Sequence, residues 1–218
     1  MSGVHIFMWN RESLRKLLEQ YYEVPLSAGF EKLGFSPNGV TIVGLTVTFI
    51  SAIFISLGMF LVGGIVMLLG SALDLIDGGL ARRLGKVSNF GALLDSVIDR
   101  LQESLVFLAV LIYFLTAPCE SFLGSLDSCS LGPILAYTAF IGSVMVSYLR
   151  ARSEGLGIEC KVGIMTRPER VVAVGIGLII SEWVSIVILV VLAIITLLGL
   201  FTTVQRLIHS SIMLRKPE

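Results

Sequence analysis

The chain has 218 residues, of which 55% are apolar (Ala, Val, Ile, Leu, Met, Phe, Trp, Tyr, Cys) and 15% charged. Its mean hydropathy of +0.91 is more than one water-soluble core can absorb. Basic and acidic residues balance at 16 each, so a nucleic-acid binder of the basic kind is excluded, as are a disordered chain and a disulfide scaffold. What remains is an all-α, polytopic membrane protein.

In chain order, Leu14, Leu17, Leu18, Tyr21 and Tyr22 come first, at helical spacing with Arg15, Lys16 and Glu19 between them. The pattern predicts an N-terminal juxtamembrane amphipathic helix lying in the interface, and suits equally a cytoplasmic helix packed on the domain. Met1 to Trp9 is too short, and lacks the basic start, for a cleavable signal peptide. From Gly39 to Leu73 there is no charged residue. As one helix this run would reach about 50 Å against a hydrocarbon core of about 30 Å, so it reads as a hairpin turning at Ser56-Leu57-Gly58. Apolar runs follow Glu103 as far as Ala117 and extend from Ser130 to Leu149. The run from Val171 to Gln205 is broken only by Glu182 and reads as a second hairpin, turning at Ser181-Glu182-Trp183. Six transmembrane helices result, near 38–57, 60–82, 91–117, 131–153, 167–181 and 184–208. The organisation expected is a juxtamembrane interfacial segment (1–35), a six-helix membrane catalytic domain (36–210) and a cytoplasmic tail (211–218).

Charge tests that count. All 16 basic residues fall on one side of the six-span arrangement, whereas the opposite links hold only Glu120, Asp127 and Glu182. The excess of Lys and Arg puts that side, with both termini, in the cytoplasm. Cys119 and Cys129 share an outer link, either as a pair formed in an oxidising compartment or as two free thiols. Neither His5 nor His209 has a partner at ligand spacing.

One stretch does not suit a passive membrane protein. Asp74 and Asp77, at i and i+3, close one apolar helix, and Asp95 and Asp99, at i and i+4, open the next. A charge at helix centre costs about 2.5–3.5 kcal/mol on insertion scales, so four carboxylates need water, cations or metal. A salt-bridge cluster with Arg82, Arg83 and Arg100 is one solution, and a proton or cation pathway another. Each pair projects from one face of its helix, and the short link makes the helices antiparallel neighbours. Four oxygen donors without Cys or His suit Mg²⁺ or Mn²⁺. Gly78, beside Asp77, leaves room for a ligand to approach the backbone.

Asp74-x2-Asp77-Gly78-x2-Ala81-Arg82-x8-Gly91-x3-Asp95-x3-Asp99 resembles the signature of the CDP-alcohol phosphotransferases, and Ser36-Pro37-Asn38-Gly39-Val40-Thr41 resembles that family's approach to its first span. The resemblance implies a six-helix membrane core, typically homodimeric, that cleaves a CDP-linked lipid such as CDP-diacylglycerol and releases CMP. It implies that Asp74, Asp77, Asp95 and Asp99 hold two Mg²⁺ ions, Mn²⁺ being possible, on the lipid diphosphate. Asp99 doubles as the catalytic base toward the acceptor hydroxyl. Pro37, Asn38, Gly39, Val40, Gly78, Arg82 and Ser88 match positions that contact the CDP-lipid, with Ser88 where Thr is frequent.

The acceptor alcohol has to be read elsewhere. Arg150, Arg170 and Arg206 close three spans on the cytoplasmic side. They suit either a phosphorylated acceptor, gripped bidentately, or the basic ring that meets anionic headgroups. Ser147-Tyr148-Leu149-Arg150-Ala151-Arg152-Ser153-Glu154, followed by Arg167-Pro168-Glu169-Arg170, is similar to the phosphatidylinositol-phosphate synthases within the family. There, positions matching Ser147, Arg150, Arg170 and Arg206 are linked to inositol phosphate, with Lys usual in place of Arg150. Glycerol 3-phosphate and, behind it, serine are the alternative acceptors. A cation transporter is the contrasting class, disfavoured because no internal repeat is visible and the aspartates sit at one membrane edge.

Overall fold

The structure, a computed structural model describing residues 19–123 and 126–215, turns the apolar runs into helices that break where the sequence supplies a turn. A π-helical turn, Glu19–Glu23, runs into α1 (Val24–Lys32). There follow α2 (Pro37–Ser56), α3 (Phe60–Arg83) and α4 (Asn89–Thr116). Two short antiparallel strands, β1 (Ser121–Leu123) and β2 (Leu126–Asp127), pair with Ser121 opposite Asp127 and Leu123 opposite Leu126. Three more helices complete the chain: α5 (Ser128–Glu154), α6 (Arg167–Ser181) and α7 (Ile186–Leu214). The protein is thus all-α apart from one small hairpin among the described residues. The break between α2 and α3 falls where the sequence predicts it, at Gly58, whose φ of +78° is open to glycine and strained for other residues.

The chain forms two compact units. One gathers the described residues up to Thr46 with Gly70–Asp99. Its core is Val40, Ile76 and Leu80, flanked by Tyr22, Phe30, Leu73 and Leu84. Here α1 is tied to α3: the Tyr22 hydroxyl donates to the Ala72 carbonyl (3.3 Å) and the Ser27 hydroxyl to that of Ile76 (3.4 Å). Glu23 pairs with Arg82 and Glu31 with Arg83. Gly79 permits this approach, since a Cβ there would lie 2.5 Å from Glu23 Cγ and 2.7 Å from Ser27 Oγ.

The other unit comprises Val47–Leu69 and the residues from Arg100 onward. Its core packs Ile55, Phe60, Val110, Phe114, Ala136, Leu178, Leu192 and Ile195, with Phe60 and Phe114 each edge-on to Tyr113. Cys119 and Cys129 form a disulfide, their Cα atoms 5.3 Å apart. Of the two states open to these thiols, the pair is the one found. Beside it Asp127 caps α5, accepting from the Ser130 N–H at 2.8 Å.

Among the described residues four helices, α2, α3, α5 and α7, are long and apolar enough to cross a membrane. They keep Ile42, Phe49, Ile53, Leu69, Leu197 and Phe201 on exposed faces, so the chain is a membrane protein. The remaining two candidates differ. α4 has 28 residues but carries Asp95, Asp99, Arg100 and Glu103 along its length, and α6 has 15, about 22 Å of helix. Of the amphipathic pattern, Leu14, Leu17 and Leu18 lie outside the described residues, Tyr21 is exposed and Tyr22 half-buried.

Candidate active site

The first unit carries a cleft of about 330 Å³, made where three helix ends meet. Two of those ends are helix starts built alike. Ser36 precedes Pro37, whose fixed φ and missing N–H suit the first helical position, and the Ser36 hydroxyl accepts from the Gly39 N–H at 3.1 Å. Ser88 does the same for α4, accepting from the Gly91 N–H at 3.1 Å. The third is the end of α3, where Lys86 N–H bonds back to the Ala81 carbonyl at 2.9 Å and turns the chain toward α4.

The walls are Pro37, Asn38, Thr41, Asp77, Gly78, Ala81, Arg82, Lys86, Val87, Ser88, Gly91, Ala92 and Asp95. Five positions matched to CDP-lipid contacts therefore come together there: Pro37, Asn38, Gly78, Arg82 and Ser88. Gly39 and Val40 are not among the walls; Val40 is fully buried against Ile76 and Leu80. Gly78 opens the floor, with the Arg82 guanidinium, 3.6 Å away, as the nearest group a Cβ would meet.

The carboxylates divide by burial. Asp77 is 6% exposed and accepts from the Thr41 hydroxyl through Oδ2 at 2.5 Å, whereas Asp74, Asp95 and Asp99 are half-buried. Asp77 lies within electrostatic range of both Asp74 and Asp95. As a donor set, four carboxylates without sulfur or imidazole fit a hard divalent cation. Among the described residues no three His, Cys, Asp or Glu side chains are drawn into a formed metal-holding group.

Charge in the cleft is mixed. Lys86 and Arg82 bring two cations, and Arg82 also pairs with Glu23. The walls thus offer cations and carboxylates to one small volume, a mixture chemically suited to a polyanion together with metal. Sequence reasoning assigned no role to Thr41 or Lys86. Thr41 was visible as the last residue of the Ser36–Thr41 segment, one turn beyond Pro37.

The second unit holds the residues matched to acceptor binding. Arg170, on α6, is 1% exposed: its Nε and Nη2 donate to Glu103 Oε1 and Oε2 at 2.6 and 3.0 Å, and Nη1 to the Met165 carbonyl at 3.1 Å. Arg206, on α7, is 2% exposed and donates to the Val162 carbonyl at 2.9 Å and to that of Val146. Arg150 is exposed and paired with Glu154 at 2.9 Å, and Ser147 is half-buried on α5. Glu103 was missed as a partner. The available signal was a carboxylate at the head of an apolar run, which calls for an internal partner.

Fold and cleft together fit a helical membrane enzyme with a charged cleft at its helix ends. The chain belongs to the CDP-alcohol phosphatidyltransferase family, whose model matches residues 35–215. It is 30% identical over 183 residues to the archaetidylinositol phosphate synthase of Methanothermobacter thermautotrophicus, covering 82% of this chain and 85% of that one. Among solved structures it is similar to the phosphatidylinositol phosphate synthase of Mycobacterium tuberculosis with CDP-DAG bound, at 27% identity and a TM-score of 0.76, over 87% of this chain and 93% of that one. The same mycobacterial enzyme in complex with manganese and citrate matches at 27% identity and a TM-score of 0.76, over 86% and 88%.

Proposed function

We propose that this chain transfers the phosphatidyl group of CDP-diacylglycerol to a phosphorylated polyol, inositol 1-phosphate, giving a phosphatidylinositol phosphate and CMP. The observation that carries the reading is the cleft, where Asp77 and Asp95 face Arg82 and Lys86 around the open floor at Gly78. The names of the relatives support the acceptor: archaetidyl and phosphatidyl products differ in their lipid, and inositol phosphate is what they share.

In this reading Asp74, Asp77, Asp95 and Asp99 would hold two divalent cations, Mg²⁺ or Mn²⁺, which would supply positive charge against the lipid diphosphate. The protein does the rest by positioning. Pro37, Asn38, Gly39, Val40, Gly78, Arg82 and Ser88 seat the CDP moiety. The acceptor hydroxyl oxygen attacks the phosphorus on the diacylglycerol side, Asp99 takes its proton, and the bond to CMP breaks with the electron pair leaving on CMP. Ser147, Arg150, Arg170 and Arg206 serve the acceptor phosphate, Arg150 as the exposed cation and Arg170 by shaping the pocket from its pair with Glu103.

The membrane arrangement belongs to the same reading. Six helices span, α4 and α6 joining the four apolar ones, as the domain 36–210, with the cleft, both termini and the tail 211–218 on the cytoplasmic side of the cell membrane and the segment 1–35 in the interface. The disulfide supports this sidedness, because the link between α4 and α5 then lies in the oxidising compartment. Two copies form the homodimer typical of the family. The test is CMP release from purified protein, CDP-diacylglycerol and Mg²⁺ with inositol 1-phosphate, glycerol 3-phosphate or serine supplied in turn. Turnover with inositol 1-phosphate alone is expected, and preference for glycerol 3-phosphate would overturn the acceptor assignment.

A further inference from the structure

We infer that Thr41 is a positioning residue for the reaction, acting through Asp77; the inference rests on the metal-holding role proposed for that carboxylate. Thr41 stands on α2 and Asp77 on α3, and both side chains are buried, at 4% and 6% exposure. The Thr41 hydroxyl lies 2.5 Å from Asp77 Oδ2 and 3.2 Å from the Pro37 carbonyl. It has one proton to give, and the short contact to the charged oxygen takes it.

Three consequences follow from that bond. Branching at Cβ restricts χ1, so the hydroxyl is aimed by the helix rather than by chance. Oδ2 is engaged, which, with the Gly78 N–H also bonded to this carboxylate, restrains its rotation. Thr41 also follows the Pro37-Asn38 wall by one turn of α2, so the segment that seats the nucleotide lipid and the carboxylate that holds metal share one rigid support. Groups that orient a metal ligand in this way are worth about 10–100-fold in metal affinity.

The experiment measures Mn²⁺ binding to the purified full-length protein by the electron paramagnetic resonance signal of free Mn²⁺, without substrate, for wild type, Thr41→Val, Thr41→Ser and Asp77→Asn. Thr41→Val keeps shape and loses the donor; it should bind Mn²⁺ about tenfold more weakly, with Thr41→Ser within about threefold of wild type. In turnover, Thr41→Val should need correspondingly more Mg²⁺ for half-maximal rate, and Thr41→Ser should restore the wild-type requirement. If wild type binds no Mn²⁺, or Asp77→Asn binds as wild type does, the proposed metal role falls and the inference with it. If Asp77→Asn weakens binding while Thr41→Val matches wild type, the inference alone is overturned. Equal losses in Thr41→Val and Thr41→Ser would overturn it as well, by showing that packing and not the hydroxyl is responsible.

Discussion

The cleft of the first unit and the arginine cluster of the second both place charge at the ends of apolar helices, and they use it differently. In the cleft, Asp95, Lys86 and Arg82 open onto a volume that a ligand can enter. Around Arg170 and Arg206 part of each guanidinium is already engaged within the protein, by Glu103 and the Met165 carbonyl at Arg170 and by the Val146 and Val162 carbonyls at Arg206. A basic residue near a membrane edge is therefore evidence for ligand binding only once its internal partners are known. Burial and partners, not residue type, separate a charge that meets substrate from one that holds helices together.

The largest expected effect is at the aspartate proposed as the base. Asp99→Asn should lower CMP release by about 10²–10⁴-fold, the usual worth of a positioned base, while the thermal midpoint in detergent stays near wild type. Turnover close to the wild-type rate would remove Asp99 from the chemistry. Next comes the buried pair. Arg170→Ala leaves Glu103 uncompensated and should cost about 3–5 kcal/mol in denaturant or thermal unfolding. Combining it with Glu103→Leu should return most of that stability; if the double variant also regained acceptor turnover, Arg170 would be structural only. The smallest effect is at Arg150, whose exposed pair with Glu154 is worth less than about 1 kcal/mol. Arg150→Ala should therefore leave the midpoint unchanged and raise KM for the phosphorylated acceptor but not for the nucleotide lipid. Unchanged acceptor KM would leave the cluster without an exposed phosphate contact.

Much of this was legible before any coordinates. The aspartate spacing marked the ends of α3 and α4, and Pro37, Asn38, Gly78, Arg82 and Ser88 were singled out in advance of the cleft that they line. Local chemistry carries such signals, because i, i+3 and i, i+4 fix a face and a serine before a helix marks its start. Pairings across the chain were not legible. Glu103 and Arg170 stand 67 positions apart, and Thr41 and Asp77 stand 36 apart, so only packing brings them together. The thiol pair was open for another reason, since spacing alone does not say whether two cysteines meet oxidant or reductant. Hydropathy also overstated how alike the helices are, because the charges in α4 and the shortness of α6 set them apart from the other four.

The serine-capped starts of α2 and α4 both border the cleft. Backbone amides at a helix start carry a fraction of a positive charge, about half a unit summed over the helix, and this attraction for phosphate belongs to the main chain. An alanine scan of the walls would leave it intact. Some grip on an anionic headgroup should thus persist when every ionisable wall residue is replaced, and a floor of residual binding in such a series is backbone polarity, not an overlooked side chain.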